Sequence, residues 1–272
     1  MVENCPVCLE RASGPYYERD QRLLKCDTCG FVFESAVTRA NLHYEGAYSL
    51  EWAEKERWQY PARASALTDI VRRIVRAGGS GRILDVGCGD GHLLHICAGH
   101  GFDCVGCEPS RVLASYAAQA SGAEVVQGRY ELSLFPAASF DVITFVQVLE
   151  HISEPRALLR AAWYHLRPGG LLCVEVPSRY APHFLLYQLT GIRWFVDSPR
   201  GVIQWHVGYH HPASVRHMCA AERFREIELT TGRWTAKYHG WKHAVGLLVD
   251  PVVNLVHVGG ILYLGQRTTQ NS

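Results

Sequence analysis

This chain has no large excess of positive or negative charge. Its 272 residues hold 27 Lys and Arg against 26 Asp and Glu, a formal net charge of +1 at pH 7. Proteins that bind nucleic acid usually carry a basic excess or a basic stripe, and the sequence shows neither. The charge balance therefore favours a small or neutral partner and argues against a nucleic acid.

The N-terminus, MVENCPVCLE, also lacks the basic region and the apolar stretch of a secretory signal peptide. We therefore expect a cytoplasmic protein. In a reducing compartment, cysteines serve as free thiols or metal ligands more often than in disulfides. The ten cysteines of the chain are accordingly candidates for metal ligation or for burial.

An uninterrupted membrane-length apolar run is missing as well. Residues 244–264 are largely apolar, but Asp250, Pro251, Asn254 and His257 interrupt them. A charged residue near the centre of a bilayer costs about 2.5 to 3.5 kcal/mol on insertion scales. The segment is predicted to form a helix and then a buried strand, with no transmembrane span.

Four of the cysteines stand in two pairs with the spacing of a zinc site. The pairs are Cys5 with Cys8 and Cys26 with Cys29, separated by 17 residues. This pattern is typical of a four-thiolate site, and Gly30 fits a tight turn after the second pair. Four thiolates fill a tetrahedral coordination sphere, so the expected zinc is structural. Residues 1–34 are assigned to a zinc-ribbon module.

The remaining cysteines are expected to be buried without a metal. Cys104 and Cys107 form a further C-x2-C, but they lie in the apolar run FDCVGC, which indicates a strand. Positions three apart on a strand face opposite sides, so their sulfurs should diverge. We predict that these two act as small buried hydrophobes, together with Cys88, Cys97, Cys173 and Cys219.

The rest of the chain alternates between strand and helix patterns. An aromatic-rich connector at 35–60 precedes a predicted helix at 61–77. Seven predicted strands follow: RILDV, FDCVGCE, AEVVQ, SFDVITFVQV, GGLLCVEVP, ERFREIELTTG and GGILYLGQR. Such alternation is typical of an α/β fold with a doubly wound, mostly parallel sheet. Ligands of these folds bind beyond the carboxyl ends of the strands, here within the domain 61–272.

A glycine loop follows the first of these strands. The segment ILDVGCGDGHLL contains Asp85, Gly87, Gly89 and Gly91, and glycines allow a sharp turn and a close ligand. The dinucleotide fingerprint needs its third glycine where His92 stands, and the Gly-Lys-Ser/Thr ending of a phosphate loop is absent. The loop therefore predicts a ligand without a pyrophosphate, which also disfavours a nicotinamide dehydrogenase.

The second strand ends in an acid, Glu108. An acid at this strand tip can accept hydrogen bonds from two ribose hydroxyls, which implies a cofactor that contains a nucleoside. The alternative is that Glu108 only caps the helix that begins after Pro109.

Four segments, ILDVGCGDG, GCEPS, SFDVITFVQVLEHI and LRPGGLLCVEVP, resemble motifs of class I S-adenosylmethionine-dependent methyltransferases. The resemblance runs from about residue 60 to the end and implies a Rossmann-like seven-stranded sheet. With the cysteine pairs it extends to bacterial methyltransferases that carry a zinc-ribbon front module, many of which act on sugars, polyketides or other specialised metabolites. It implies S-adenosylmethionine and structural zinc as cofactors and a small-molecule methyl acceptor.

The resemblance also implies roles for single residues. It places Asp85 and the loop Gly87–Gly91 around the methionine part of the cofactor, Glu108 on the ribose, and Gln147 alongside the cofactor. After the third strand the family often has Gly-Asp-x-Glu, whereas Arg129 stands here in place of the Asp.

Arginine cannot accept a hydrogen bond. The adenine is therefore expected to be held by the backbone of Tyr130, by Glu131, or by stacking. Tyr44 and Tyr48 of the connector either close over the cofactor, as tyrosines there do in many relatives, or simply pack against the helices.

Methyl transfer often requires removal of a proton from the acceptor, and histidine suits this role because its pKa lies near neutrality. His151 follows the fourth strand, where the family often has His. It is predicted either as a base or acceptor-binding group, or as a helix-entry residue bonded to backbone. Residues 177–212 are too long for an ordinary loop and are predicted to form a lid.

Part of this lid resembles a segment of zinc-ribbon sugar C-methyltransferases, EHFSYFSP. WHVGYHHP aligns with it, so His206 and Tyr209 match the family's His and Tyr, while Trp205 replaces the Glu. His206 is predicted as a base or acceptor-binding group with Tyr209 beside it. Four aromatic residues of the lid form either its core or an apolar wall for the acceptor: Phe184, Tyr187, Trp194 and Phe195.

His206 and His210 are four residues apart, which is the spacing of a metal-binding pair on a helix. Gly208 and Pro212 disfavour a helix there, and the stretch contains no acid or cysteine to complete a ligand set. His210 and His211 are instead expected to lead into a helix that starts near Pro212.

The sequence leaves two alternative functions open. One group of ribosomal RNA base methyltransferases also joins a zinc ribbon to this fold, although the charge balance and the histidine-rich lid argue against it. The other is a cofactor-binding partner subunit without activity, which the substitution at Arg129 keeps open.

Overall fold

The computed structural model describes residues 3–10, 14–18, 21–34, 61–178, 206–231 and 260–269. Within these ranges the chain forms two sheets. Predictions for several residues fall outside the described ranges: Tyr44, Tyr48, Phe184, Tyr187, Trp194, Phe195, Trp205 and the helix expected before Gly260.

The described strands are β1 Gly14–Glu18, β2 Gln21–Lys25, β3 Val32–Glu34, β4 Arg82–Val86, β5 Asp103–Glu108, β6 Glu124–Gln127, β7 Phe140–Val146, β8 Leu166–Pro177, β9 Gly208–Tyr209, β10 Phe224–Thr231 and β11 Gly260–Arg267. The described α-helices are α1 Pro61–Arg76, α2 His92–Gly99, α3 Arg111–Ser121, α4 Pro155–His165 and α5 Pro212–Ala221. A short 3-10 turn, Leu149–His151, follows β7.

The larger sheet has seven strands in the order β10-β11-β8-β7-β4-β5-β6. Strands β8, β7, β4, β5 and β6 are parallel neighbours, and β11 runs antiparallel to both β8 and β10. The predicted α/β fold with a mostly parallel seven-stranded sheet is therefore confirmed.

Both faces of this sheet are covered by apolar packing, because successive strand residues point to opposite sides. Ile83 and Val142 pack in one apolar cluster with residues of α1, α2 and α3. Their chain neighbours Leu84 and Ile143 pack in another with residues of α4 and α5. This burial on both faces explains why the parallel strands appear in the sequence as continuous apolar runs.

The strand order reverses beside β4. The chain moves outward from β4 to β5 and β6, and then returns to place β7 on the other side of β4. The segments that follow β4 and β7 therefore lie next to each other at the carboxyl edge, which is where ligands of such sheets bind.

The cysteines outside the two N-terminal pairs are buried, as predicted. Cys104 and Cys107 of β5 belong to the clusters on opposite faces of the sheet. The Sγ atom of Cys104 lies 3.5 Å from the carbonyl oxygen of Leu94, whereas that of Cys107 lies 3.4 Å from the carbonyl oxygen of Gly128. This pair is therefore not a metal knuckle.

The smaller sheet joins the cysteine-bearing segment to the segment after residue 205. Its strand order is β1-β2-β3-β9, with all pairs antiparallel. Val32 pairs with Tyr209 and Phe33 with Gly208. The buried residues Phe31 and Phe33 belong to the same apolar cluster as the α4–α5 face of the large sheet, so the N-terminal segment packs against the main core.

Strand β11 confirms the second half of the prediction for residues 244–264, because Gly260–Arg267 is a largely buried strand. Among the residues that the structure describes, no helix is both long and apolar enough to cross a membrane.

Candidate functional site

The glycine loop after β4 adopts the left-handed backbone that its three glycines permit. Gly87, Gly89 and Gly91 have φ values of 70°, 55° and 75°. A Cβ atom at Gly87 would lie 2.7 Å from Val148, and one at Gly91 would lie 3.0 Å from Ala117. At Gly89 the only described atom within 4 Å would be a backbone oxygen. The outer glycines thus allow close packing, and the middle one leaves room for a ligand.

Asp85 lies at the base of this loop and is only 3% exposed. The Oγ1 atom of Thr144 in β7 donates a hydrogen bond of 2.7 Å to its carboxylate. Burial raises the pKa of Asp85 to about 7, and the hydrogen bond from Thr144 opposes that rise. An ionised carboxylate here can bind a cationic group, and a protonated one cannot.

Glu108 connects the tip of β5 to the glycine loop. One carboxylate oxygen accepts a hydrogen bond of 3.1 Å from the Gly89 N–H, and the other accepts one of 2.8 Å from the Ser110 N–H. Burial raises the pKa of Glu108, and the two N–H groups oppose the rise. A carboxylate has about four acceptor positions, so both oxygens can still accept hydroxyl donors.

A partly buried ion pair beside the loop is not apparent from the sequence. Arg63 of α1 donates two hydrogen bonds, of 2.8 and 3.2 Å, to Asp90, which also accepts one of 3.1 Å from the His92 N–H. Asp90 could have been noticed as an acid at the start of a helix. No local signal indicates its partner, because Arg63 is 27 residues away in the sequence.

Gln147 stands at the carboxyl end of β7 with a positive φ of 58°. Its N–H donates to the backbone oxygen of Glu175 over 2.9 Å, and its Nε2 donates to the Glu175 carboxylate. These hydrogen bonds connect the end of β7 to the end of β8 and fix the direction of the backbone that leads to His151.

The segment expected to hold adenine has a different arrangement. The Tyr130 hydroxyl lies 2.7 Å from Nδ1 of His165, and its ring packs near Phe145 inside the core. Arg129 and Glu131 are exposed, and a Glu131 oxygen accepts a hydrogen bond of 2.6 Å from Ser133. The Tyr130 side chain therefore belongs to the core.

The structure brings together the three residues that the sequence named as acceptor-facing. The ring centroids of His151 and His206 are 4.9 Å apart with an interplanar angle of 78°. Those of His206 and Tyr209 are 5.9 Å apart. Because Val148 packs over Gly87, the Leu149–His151 turn lies next to the glycine loop.

Glu150 is a further member of this cluster, and it was not predicted from the sequence. It is completely buried, and its Oε1 atom lies 3.9 Å from Nε2 of His151. Its backbone oxygen accepts a hydrogen bond of 2.8 Å from the Val207 N–H. Glu150, His151 and His206 each place one possible ligand atom within 4.8 Å of the others.

The four N-terminal cysteines converge into one cluster, with all four side chains buried. The Sγ atoms of Cys5 and Cys29 are 3.6 Å apart, and those of Cys8 and Cys26 are 3.4 Å apart. Zn–S bonds of about 2.3 Å in a tetrahedron require sulfur separations of roughly 3.8 Å. The cluster therefore fits a four-thiolate zinc ion after small side-chain adjustments.

His206 and His210 do not share a site. Residues Gly208–Tyr209 form strand β9, and His211 caps α5, whose first residue is Pro212. His210 is completely buried against Phe31, with ring centroids 4.7 Å apart. The expectation that His210 and His211 lead into a helix is confirmed.

Comparisons with known proteins agree with this geometry. A family profile described as a methyltransferase domain matches residues 57–226. A ubiquinone biosynthesis O-methyltransferase from Azorhizobium caulinodans is 31% identical over 186 residues, which cover 65% of this chain and 70% of that protein.

Solved structures support the fold. A possible histamine N-methyltransferase from Thermotoga maritima aligns with a TM-score of 0.56 at 16% identity, covering 79% of this chain and 95% of that one. A SAM-dependent methyltransferase from Archaeoglobus fulgidus aligns with a TM-score of 0.55 at 18% identity, covering 80% and 100%. At these identities the likeness concerns the fold alone.

Proposed function

The chain belongs to the S-adenosylmethionine-dependent methyltransferase family, and from that premise we propose that it methylates a small molecule bound against His151 and His206. The observation that carries this proposal is the meeting of these two imidazoles beside the glycine loop, with ring centroids 4.9 Å apart. The near-neutral charge of the chain and the relatives named O-methyltransferases support a small acceptor.

The residues around the loop fit the cofactor that the family implies. Asp85 would face its cationic amino group, Glu108 would accept from the ribose hydroxyls, and Gly89 leaves the space through which the backbone reaches the ligand. Gln147 would line the same edge, and the backbone at Tyr130, Glu131 and the connector residue Tyr48 would enclose the adenine. S-adenosylmethionine supplies a methyl group on a sulfonium, which is already a good electrophile.

The protein would then position the acceptor and remove its proton. Holding the acceptor in line with the methyl group can lower the barrier by about 7 to 11 kcal/mol. A neutral imidazole at His151 or His206 can accept the acceptor proton, which is worth about 10²- to 10⁴-fold in rate. His206 is only 8% exposed, so its imidazole is largely shielded from water. Tyr209 would orient the ring of His206.

Zinc would serve the N-terminal module as a structural ion held by Cys5, Cys8, Cys26 and Cys29. Four thiolates leave no open coordination position, so this ion would take no part in methyl transfer. Its role would be to fix the turns from which β3 extends toward β9.

Calorimetry with S-adenosylmethionine and turnover with a panel of hydroxyl-bearing small molecules test the proposal. His151→Ala and His206→Ala should each lower kcat at least tenfold and leave cofactor affinity near the wild-type value. His217→Ala, which changes an exposed histidine of α5, is the matched control. Full turnover in both site variants, or no cofactor binding at millimolar concentration, would contradict the proposal. RNA binding that strengthens steeply as salt falls would favour a nucleic-acid substrate instead.

A further inference from the structure

We propose that Glu150, His151 and His206 form a second metal site, which binds a divalent transition-metal ion and presents it to a hydroxyl oxygen of the acceptor. The sequence disfavours a metal site within the stretch that contains His206, because no acid lies there. The fold supplies the acid from elsewhere, since the Leu149–His151 turn brings Glu150 to it. Ion binding stands independently of the proposed function, whereas the contact with an acceptor rests on it.

The positions of the donors carry the proposal. One possible ligand atom from each residue lies within 4.8 Å of the other two. Donor–metal bonds of about 2.0 to 2.2 Å require donor separations of roughly 3 to 4.4 Å, so small side-chain rotations close the site. Two imidazoles at neighbouring positions around such an ion have ring centroids about 5 Å apart, and the observed separation is 4.9 Å.

The burial of the carboxylate supports a cation at this point. Glu150 has no solvent exposure, and a carboxylate in such a place is stabilised by pairing with positive charge or by metal coordination. Nε2 of His151 lies 3.9 Å from the Oε1 atom of Glu150. A dication bound by all three residues would balance the charge of the carboxylate. Both imidazoles would then be metal ligands, and the ion would replace the base by lowering the pKa of the acceptor hydroxyl.

Backbone contacts hold the three ligands in place before any ion arrives. The Val207 N–H donates to the Glu150 carbonyl over 2.8 Å, and the His151 N–H donates to the Val148 carbonyl over 3.0 Å. Beyond Val207, strand β9 is fixed by its pairing with β3. A ligand set held in this way loses little entropy on binding an ion.

The donor set also indicates the kind of ion and its role. Two imidazoles and one carboxylate favour zinc, iron, cobalt or manganese over calcium and magnesium, which prefer oxygen donors. Three protein ligands leave at least one coordination position open, as in catalytic sites, whereas the four-cysteine cluster is closed. Because the Leu149–His151 turn lies beside the glycine loop, an acceptor bound to such an ion would lie near the methyl donor. A hydroxyl oxygen is the acceptor group that suits this position.

Metal titration of the full chain tests this inference without relying on turnover. Protein first loaded with one equivalent of zinc is titrated with Co²⁺, followed by calorimetry and by the visible absorption of cobalt. We expect one further equivalent to bind, with the weak absorption of nitrogen and oxygen ligands. Glu150→Gln and His206→Ala should each weaken that second event at least tenfold, whereas His217→Ala should bind cobalt as the wild type does.

The outcomes separate this inference from the proposed function. If zinc-loaded wild-type protein takes up no further ion at millimolar Co²⁺, or if His206→Ala binds it with unchanged affinity, the second metal site is wrong. His206→Ala keeps the test valid should Glu150→Gln fail to fold. Calorimetry with S-adenosylmethionine on the same samples reports on the proposed function, and its failure would leave the cobalt result unaffected.

Discussion

Tyr209 of strand β9 pairs with Val32 of strand β3, so the cysteine-bearing segment and the segment that contains His206 belong to one sheet. Phe31, which precedes β3, is buried between Phe33 and His210, at centroid distances of 5.8 and 4.7 Å. The position of His206 therefore depends on the N-terminal module, although about 170 residues separate the two in sequence.

Gly208→Ala should disturb this junction. A Cβ atom there would lie 2.4 Å from Cζ of the Phe31 ring, which is buried and packed against Phe33 and His210. We expect unfolding free energy to fall by about 1 to 3 kcal/mol and kcat to fall more than cofactor affinity. Gly99→Ala, at a helix position with no described atom within 4 Å, is the control for denaturant unfolding and turnover. Wild-type turnover in Gly208→Ala would argue that β9 does not position His206.

Glu108→Gln should weaken S-adenosylmethionine binding about 10- to 100-fold, because hydrogen bonds to a charged group contribute roughly 1.5 to 3 kcal/mol. The amide oxygen keeps one acceptor for Gly89 or Ser110, so the loop should stay folded. Calorimetry measures the affinity, and Glu124→Gln, at an exposed acid of β6, is the control. Equal affinities in the two variants would show that Glu108 only supports the loop and the following helix.

Cofactor affinity should depend on pH through Asp85. Its pKa in the folded protein is raised to about 7, so the carboxylate is largely protonated at pH 6 and largely ionised at pH 8. Binding of the cationic amino group should therefore strengthen as pH rises through 7. Thr144→Val removes the hydrogen bond that lowers this pKa, so the transition should move to higher pH. A pH-independent affinity between 6 and 8, measured by calorimetry, would contradict the assignment.

His210 should make the fold acid-sensitive. Burial lowers its pKa from 6.5 to about 4, so the folded state keeps it neutral while the unfolded chain takes up a proton. The contribution of neutral His210 to the free energy of unfolding is fully present above pH 6.5 and is lost as pH falls toward 4. The loss should reach about 3 kcal/mol, at 1.36 kcal/mol per pKa unit. Urea unfolding between pH 7.5 and 4.5 should show a shallower decline for His210→Gln than for wild type or the exposed control His217→Gln. Parallel declines would argue against this role.

The sequence by itself determined the seven strands of the larger sheet, the helices that pack on it and the two cysteine pairs. Apolar runs such as RILDV and SFDVITFVQV predict β4 and β7 because strands buried on both faces contain few polar residues. The glycine loop was equally accessible, because three glycines at alternating positions indicate the positive φ values that the structure shows at Gly87, Gly89 and Gly91. Local conformational preference and burial explain these successes.

Only the tertiary structure decided which residues meet. Arg63 bonds to Asp90, Thr144 bonds to Asp85, and Glu150 lies close to His206. No local sequence pattern extends over the distances in sequence that separate these pairs. Tyr130 is a further example, because its hydroxyl group forms a hydrogen bond with His165 in the core. The reversal of strand order beside β4 places β7 next to β4, and the pairing of β3 with β9 joins the N-terminal segment to the segment after residue 205. Strand pairing is set by the packing of the whole chain, and that information is absent from any single motif.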